Sequence, residues 1–464
     1  MKLAIVGAGS TRLPLMLASV AAAGRTCRLD AVALFDVRPD RVAALLPVGR
    51  ALAATCGTLP PVAVAATAEQ ALEGADAVVY TIRPGFEAGR ARDERTCLDL
   101  GVVGQETTGP AGFAFAARSI PAVLGYCAIA ARSNPACLPV VFTNPAGMVT
   151  QALADAGFDR AVGVCDSATV AAHALARRAG VAFDDVDFEV YGLNHLSWTR
   201  RATAGTRDLL AEGLADPAFL ATLVPWAAGR TAAMGRIPVE YLYYWYRTAD
   251  ALAALRAEPR TRGEALAVDN AAMLADVGAL SAAGDVSAAI VRYARYLGER
   301  NDSYMHYAKA EGGHAAHGGD AGDPRPAGTV RDADAALASL RTQVGGYAEV
   351  AMELLAGRVG AAPRLMALNV PAAGAVPGFD AADVVETDCD VDAAGVRPRP
   401  HAPLPADDLA LATRVKAYER LAVRAIRERS AALAEDALVA HPLVDDRALA
   451  GRLVAALGIC GDGR

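Results

Sequence analysis

Short, wholly apolar runs alternate with longer stretches of helical period through the first third of this 464-residue chain. Lys2–Val6 reads as a buried strand, Gly7-Ala8-Gly9-Ser10 turns the chain, and Leu13–Ala23 continues as an apolar helix. Residues 32–35, 77–81, 138–142 and 161–164 repeat the strand pattern, and 113–131 has a helical period. Apolar strands alternating with helices predict a doubly wound α/β sheet. Residues 87–95 are crowded with charge and are expected to form a polar loop. The character then changes. Residues 186–191 and 197–204 read as strands, and from Pro217 the pattern is mostly helical, with helices expected over 342–355 and 407–439 and an extended segment over 367–376. Residues 309–328, rich in Gly, His and Asp, lack any apolar period and are expected to be a loop. Composition divides the chain into residues 1–165 and 166–464.

With 53% hydrophobic residues, the chain can bury the core of two to three domains. A net charge of −7 and a pI of about 5.6 leave no basic footprint for nucleic acid. No uninterrupted apolar run reaches the roughly 20 residues of a membrane span, so no membrane contact is expected. The N-terminus breaks into glycines after a few apolar residues and reads as the start of a fold, not an address. The cysteines (Cys27, Cys56, Cys97, Cys127, Cys137, Cys165, Cys389, Cys460) are dispersed without a C-x-x-C pair. That suits reduced thiols, and a cytoplasmic location is expected.

Candidate chemistry gathers where predicted strands end. Gly7, Gly9 and Ser10 sit between a strand and a helix, where backbone can approach a pyrophosphate. The third glycine of G-x-G-x-x-G is replaced by Arg12. Asp36 ends the second strand and can bond a ribose hydroxyl, which favours NAD over NADP, although Arg38 lies close by. Cys165 and His195 offer a thiolate and an imidazole, both good ligands for a divalent transition metal, and Asp166 adds a carboxyl group. Taken singly, a buried Cys beside an Asp is more often packing and a turn, and a lone His is more often a hydrogen-bonded core residue. His314 and His317 have metal-like spacing but fall in the Gly-rich stretch and read as solvated. His173 and His441 read as structural.

Seven short segments then occur together in a set order. They are Gly7-Ala8-Gly9-Ser10, Arg83-Pro84-Gly85, Gly104-Gln105-Glu106-Thr107-Thr108-Gly109, Asn144-Pro145-Ala146-Gly147, Cys165-Asp166, Gly192-Leu193-Asn194-His195 and Tyr241-Leu242. In order and spacing they resemble glycoside hydrolase family 4, the NAD-dependent exception among glycosidases. The resemblance implies an N-terminal Rossmann-like doubly wound sheet of the lactate/malate dehydrogenase type and a C-terminal mixed α+β catalytic domain. It implies NAD, a divalent metal such as Mn²⁺, and a homodimer or homotetramer. The implied reaction is oxidation at C3 of the sugar by NAD⁺, loss of the C2 proton, departure of the aglycone from C1, addition of water, and return of the hydride. By the same resemblance, Cys165 and His195 hold the metal, Tyr241 is the base, Glu106 raises the tyrosine's basicity, and Asp166 is the general acid. Gly7, Gly9, Ser10, Asp36 and Arg83 would line the cofactor, and Arg90, Asn144, Asn194 and Arg262 the substrate. Tyr243 and Tyr244 compete with Tyr241, and Arg260 with Arg262.

The expected substrate is a phosphorylated glycoside. Asn144-Pro145-Ala146-Gly147 and Asn194-His195-Leu196-Ser197 look like the 6-phospho-β-glucosidase branch, whereas Asp166 looks like the phospho-α-glucosidase pattern. α-Galactosides and α-glucuronides are the family's other substrates. A 2-hydroxy-acid dehydrogenase shares the expected N-terminal fold, but it requires a His–Asp pair and a substrate-loop Arg that the sequence does not place.

Overall fold

The structure, a computed structural model, describes residues 1–311 and 332–461. His314, His317 and most of the expected 309–328 loop lie outside the described residues. The strands are β1 (Lys2–Val6), β2 (Ala31–Phe35), β3 (Val62–Val64), β4 (Ala77–Tyr80), β5 (Leu138–Val141), β6 (Val162–Gly163), β7 (Asp187–Leu193) and β8 (Leu196–Ala204). They are followed by β9 (Arg207–Asp208), β10 (Ile237–Pro238), β11 (Arg364–Pro371), β12 (Val384–Asp392) and β13 (Gly395–Pro398).

Strands β3-β2-β1-β4-β5-β6 form a parallel sheet, as the unbroken apolar runs predict. Alternate residues of β1 serve opposite cores. Leu3 and Ile5 pack with the helices Leu13–Ala23 and Pro39–Cys56, while Ala4 and Val6 pack with Phe113 and its neighbours. The chain is thus a doubly wound α/β fold with an α+β C-terminal part. The sheet does not stop at residue 165. Antiparallel β11, β12 and β13 extend it from β6, with Asn369 opposite Gly163. A second sheet is built on the β7–β8 hairpin.

Several local expectations change. The charged stretch 87–95 is not a loop but part of the helix Phe86–Asp99. Its inward face carries Arg90, Asp93 and Glu94, so ion pairs replace the apolar stripe that marks a helix. The helix expected over 342–355 begins only at Tyr347, after Gly346 adopts φ 61°. The long helix over 407–439 is two, Ala406–Glu428 and Ala431–Ala440. Arg429 is left-handed at φ 52°, and the Ser430 hydroxyl caps the second helix. Two helices, Pro110–Ser133 and Arg262–Ala282, are in fact long and apolar enough to cross a membrane by length and composition. The first is a core helix with Phe113, Ile120 and Val123 buried, and the second carries Glu264, Asp269 and Asp276.

Candidate active site

A cavity of about 420 Å³ opens beyond the C-terminal ends of β1, β2, β4 and β5. Open α/β sheets bind ligands there, and a volume of about 300–1,000 Å³ suits a small molecule. One end is walled by Gly7, Gly9, Ser10 and Asp36, the other by Arg90, Glu106, Asn144, Tyr241 and Arg262. Two glycines are obligatory here. Gly7 has φ 98°, and a Cβ on it would lie 2.4 Å from the Thr81 carbonyl oxygen. A Cβ on Gly9 would lie 2.9 Å from the Asp36 carboxyl. The Gly9 N–H donates to Asp36 Oδ2 at 2.7 Å and the Arg38 N–H to Oδ1 at 2.8 Å. Asp36 is therefore fixed at the mouth of the glycine turn, where the helix Leu13–Ala23 begins. The cradle fits a dinucleotide.

At the far end, the β7–β8 hairpin turns through Asn194 and His195, with Leu193 opposite Leu196. His195 adopts φ 60°, a conformation uncommon outside glycine that the tight hairpin turn requires. Its ring lies flat on Tyr241, centroids 3.8 Å apart and planes within 6°. Its tautomer follows from its neighbours. The Thr107 hydroxyl donates to Gln105 Oε1 at 2.9 Å, so toward His195 Nδ1, 2.8 Å away, Thr107 can only accept. Nδ1 therefore carries the proton, and Nε2, buried and without a hydrogen-bond partner among the described residues, keeps its lone pair. Burial lowers the imidazole pKa to about 4, so the ring is neutral. A neutral imidazole whose second nitrogen is tied down is the form that binds a metal.

Cys165 is fully buried, its thiol pKa raised by burial and by the Glu386 and Asp166 charges. A cation beside it would reverse that. Among the described residues, no three or more His, Cys, Asp or Glu side chains are grouped to hold a metal. Neither Cys165 nor His195 lines the main cavity, and His195 and Asn194 border a small adjoining space of about 30 Å³. Tyr241 lines the main cavity and carries the His195 ring on its face.

Tyr241 is buried, and burial, then the Glu240 and Glu106 charges, raise its pKa well above the usual phenol value. A hydrogen bond with Tyr304 opposes this. Tyr243 and Tyr244 are also buried, but Tyr243 does not reach the cavity, and the Tyr244 hydroxyl pairs with that of Tyr307. Glu106 sits between Arg83 at 2.7 Å and Arg90 at 2.8 Å. Burial would raise its pKa, but these two arginines pull it down to about 2. Arg83 also lies over the Phe115 ring at 4.8 Å. Arg90 is further held by Glu94 at 2.7 Å, so two carboxylates offset its charge. Arg262 lines the cavity, whereas Arg260 is exposed. The Arg262 guanidinium donates to the Ser303 and Arg300 carbonyls, and burial followed by the Arg300 and Arg90 charges lowers its pKa to about 10.

Asn194 Nδ2 donates to Glu386 Oε1 at 3.2 Å, beside Asn369 at 3.1 Å and Ser197 at 2.7 Å on the same carboxyl. Asn194 thus faces a buried acid, not the cavity. Asp166 is buried beside Cys165 and raises the Glu240 pKa, which burial first lifts, to about 8. Sequence reasoning missed Arg300, Tyr304, Glu240 and Glu386, which the fold brings to this neighbourhood from three separate segments. Each stands alone in its segment and carries no local signal. Of the two histidines read as structural, His173 stacks on Phe183 and His441 is packed by Trp245 and Tyr418.

The fold and cleft define a doubly wound α/β protein with a glycine-turn cradle at one end of its cavity and, at the other, Tyr241 with the His195 ring stacked on it. Two family models match the chain, "Family 4 glycosyl hydrolase" over residues 2–181 and "Family 4 glycosyl hydrolase C-terminal domain" over residues 190–444. The chain belongs to glycosyl hydrolase family 4. It is similar to the 6-phospho-beta-glucosidase BglT of Thermotoga maritima, with 29% identity over 210 residues, 45% of this chain and 50% of the relative. It is also 37% identical over 132 residues to 6-phospho-alpha-glucosidase 1 of Lacticaseibacillus paracasei, covering 28% of this chain and 30% of the relative. The aligned part thus spans at most about half the length of these relatives. In fold, it matches a Thermotoga maritima 6-phospho-beta glucosidase structure with manganese, NAD⁺ and glucose-6-phosphate. The TM-score is 0.78 at 21% identity, covering 98% of this chain and 97% of the other.

Proposed function

We propose that this chain is an NAD- and divalent-metal-dependent glycosidase that hydrolyses 6-phospho-β-glucosides. One observation carries the reading. A neutral histidine with an open ring nitrogen lies flat on a tyrosine in the wall of a cavity whose other end is the Gly9–Asp36 cradle. The relative's structure with manganese, NAD⁺ and glucose-6-phosphate supports it. When bound, the cofactor supplies reversible hydride acceptance at C3 of the sugar, and the metal, held by Cys165 and His195, supplies Lewis acidity.

The chain's own residues do the rest. Tyr241 takes the C2 proton at its phenol oxygen. It is a phenol held protonated by burial and by Glu240 and Glu106, so it becomes a base only when positive charge arrives beside it. This ties proton removal to a loaded site. Glu106, kept ionised by Arg83 and Arg90, holds the wall of the cavity and adds to the basicity of the phenolate. Asp166 delivers a proton to the departing aglycone oxygen. Asp36 bonds the ribose, and Asn144 orients the sugar. Arg300, with Arg262 beside it on the cavity lining, supplies the cation for the 6-phosphate that the paired Arg90 does not.

A panel of α- and β-nitrophenyl glucosides, with and without 6-phosphate, assayed with Mn²⁺ and NAD⁺, tests the reading. Release of nitrophenol without net NADH is expected. Turnover that survives removal of both NAD⁺ and metal refutes it. One observation favours a second reading: Asp166 beside Cys165 resembles the α-glucosidase pattern. Faster turnover of the α-anomer in the same panel would select it.

A further inference from the structure

Two arginines stand near the place where a ribose 2′-substituent would lie. Arg38 is one. Its guanidinium is half exposed and turned to Asp40, at 2.9 and 2.6 Å. Arg41 is the other, and it is closer. Its Cβ lies 3.1 Å from a Cβ built on Gly9, against the Gly9–Asp36 contact itself. From that root, a side chain of its length can reach a phosphate on the ribose.

It is held elsewhere. Arg41 Nη1 and Nη2 donate to the two oxygens of Glu87 at 3.1 and 2.9 Å, a forked pair with both side chains less than a fifth exposed. The guanidinium also covers the Phe86 ring at 5.0 Å. Glu87 is anchored in turn. Asn270 Nδ2 donates to its Oε1 at 2.9 Å, and the Tyr296 hydroxyl donates to Asn270 Oδ1 at 2.5 Å. Arg41, Phe86, Glu87 and Asn270 all line the cavity. The anchor reaches from the first βαβ unit to the helix Arg262–Ala282.

We infer that Glu87 is a specificity-determining residue: by clamping Arg41 it removes the cation that would otherwise bind a 2′-phosphate, so NADP is refused by Glu87 as well as by Asp36. Asp36 acts by repelling the phosphate. Glu87 acts by withholding its partner, and it is a positioning residue because it acts through Arg41. The inference rests on the reading that the cleft takes a dinucleotide.

The test is binding, without turnover. Calorimetric Kd values for NAD⁺ and NADP⁺ would be measured on the native chain, Asp36→Ala, Glu87→Gln, and the double variant. On the Asp36→Ala background, Glu87→Gln should tighten NADP⁺ by about tenfold, the worth of one charged hydrogen bond, and leave NAD⁺ within about threefold. Adding Arg41→Ala should erase the gain. An unchanged NADP⁺/NAD⁺ ratio, with NAD⁺ still bound, overturns the inference. If the Glu87 variants do not fold, Arg41→Gln alone decides: NADP⁺ affinity should not change, and a loss of about tenfold would show that Arg41 already reads the 2′-position. Failure of the native chain to bind either dinucleotide would instead overturn the dinucleotide reading.

Discussion

Thr107→Val is the sharpest probe of the His195 argument. Valine keeps the shape of threonine and deletes one oxygen. That oxygen accepts from His195 Nδ1 at 2.8 Å and donates to Gln105 Oε1 at 2.9 Å. Gln105 loses little, because Oε1 still receives the Thr107 and Thr108 backbone N–H groups at 2.7 and 2.6 Å. His195 Nδ1 loses its hydrogen-bond partner among the described residues, so a buried N–H is left unpaired at a cost of about 1–3 kcal/mol. The proton then has no reason to stay on Nδ1. With the tautomer no longer fixed, divalent-metal affinity should fall about 10- to 100-fold, as when other groups supporting metal ligands are removed. Two measurements check this. Nitrogen NMR of the labelled imidazole should show Nδ1 protonated and Nε2 bare in the native chain, and a mixture in the variant. Electron paramagnetic resonance titration with Mn²⁺ gives the affinity. A native spectrum with the proton on Nε2 would refute the hydrogen-bond reasoning. Unchanged Mn²⁺ affinity in the variant would refute the link to metal binding.

Asp166→Asn should slow substrates with poor leaving groups far more than nitrophenyl ones, and equal losses in steady-state kinetics would count against the acid role. Glu419→Ala leaves the Lys416 ammonium, 2% exposed and paired with Glu419 at 2.5 Å, buried without its partner. Urea unfolding should show a loss of about 3–5 kcal/mol, and Lys416→Met with Glu419→Leu should recover most of it. His401 is held by Glu189 at 2.9 Å and Asp388 at 3.1 Å; burial alone would lower its pKa, but these acids raise it above the usual value. A raised histidine stabilises the folded state fully below its unfolded value of about 6.5, and this is lost as pH rises through the folded value. The stability difference between the native chain and His401→Gln should therefore be largest in mild acid and shrink in alkali; a gap that widens with pH would contradict the assignment.

Apolar period and glycine placement were the readable signals. The parallel strands stand out because a sheet covered on both faces needs unbroken apolar runs. The Gly7–Gly9 turn and Asp36 are legible because only glycine tolerates the approach of Thr81 and Asp36. Buried charge defeated the same method. The helix Phe86–Asp99 turns Arg90, Asp93 and Glu94 inward, where partners from other segments neutralise them, and hydrophobic period cannot report a face held by ion pairs. The sheet's continuation through β11 to β13 was equally hidden, because strand pairing across 200 residues leaves no local mark. By itself the sequence determined the doubly wound sheet, the glycine turn and the identity of Cys165, His195 and Tyr241 as candidates. Only the tertiary structure decided that Thr107 sets the histidine's tautomer, that Arg90 is neutralised while Arg300 faces the cavity, and that Glu87 restrains Arg41. Each of these depends on which distant group supplies the opposite charge or the missing hydrogen bond, and chain folding alone makes that choice.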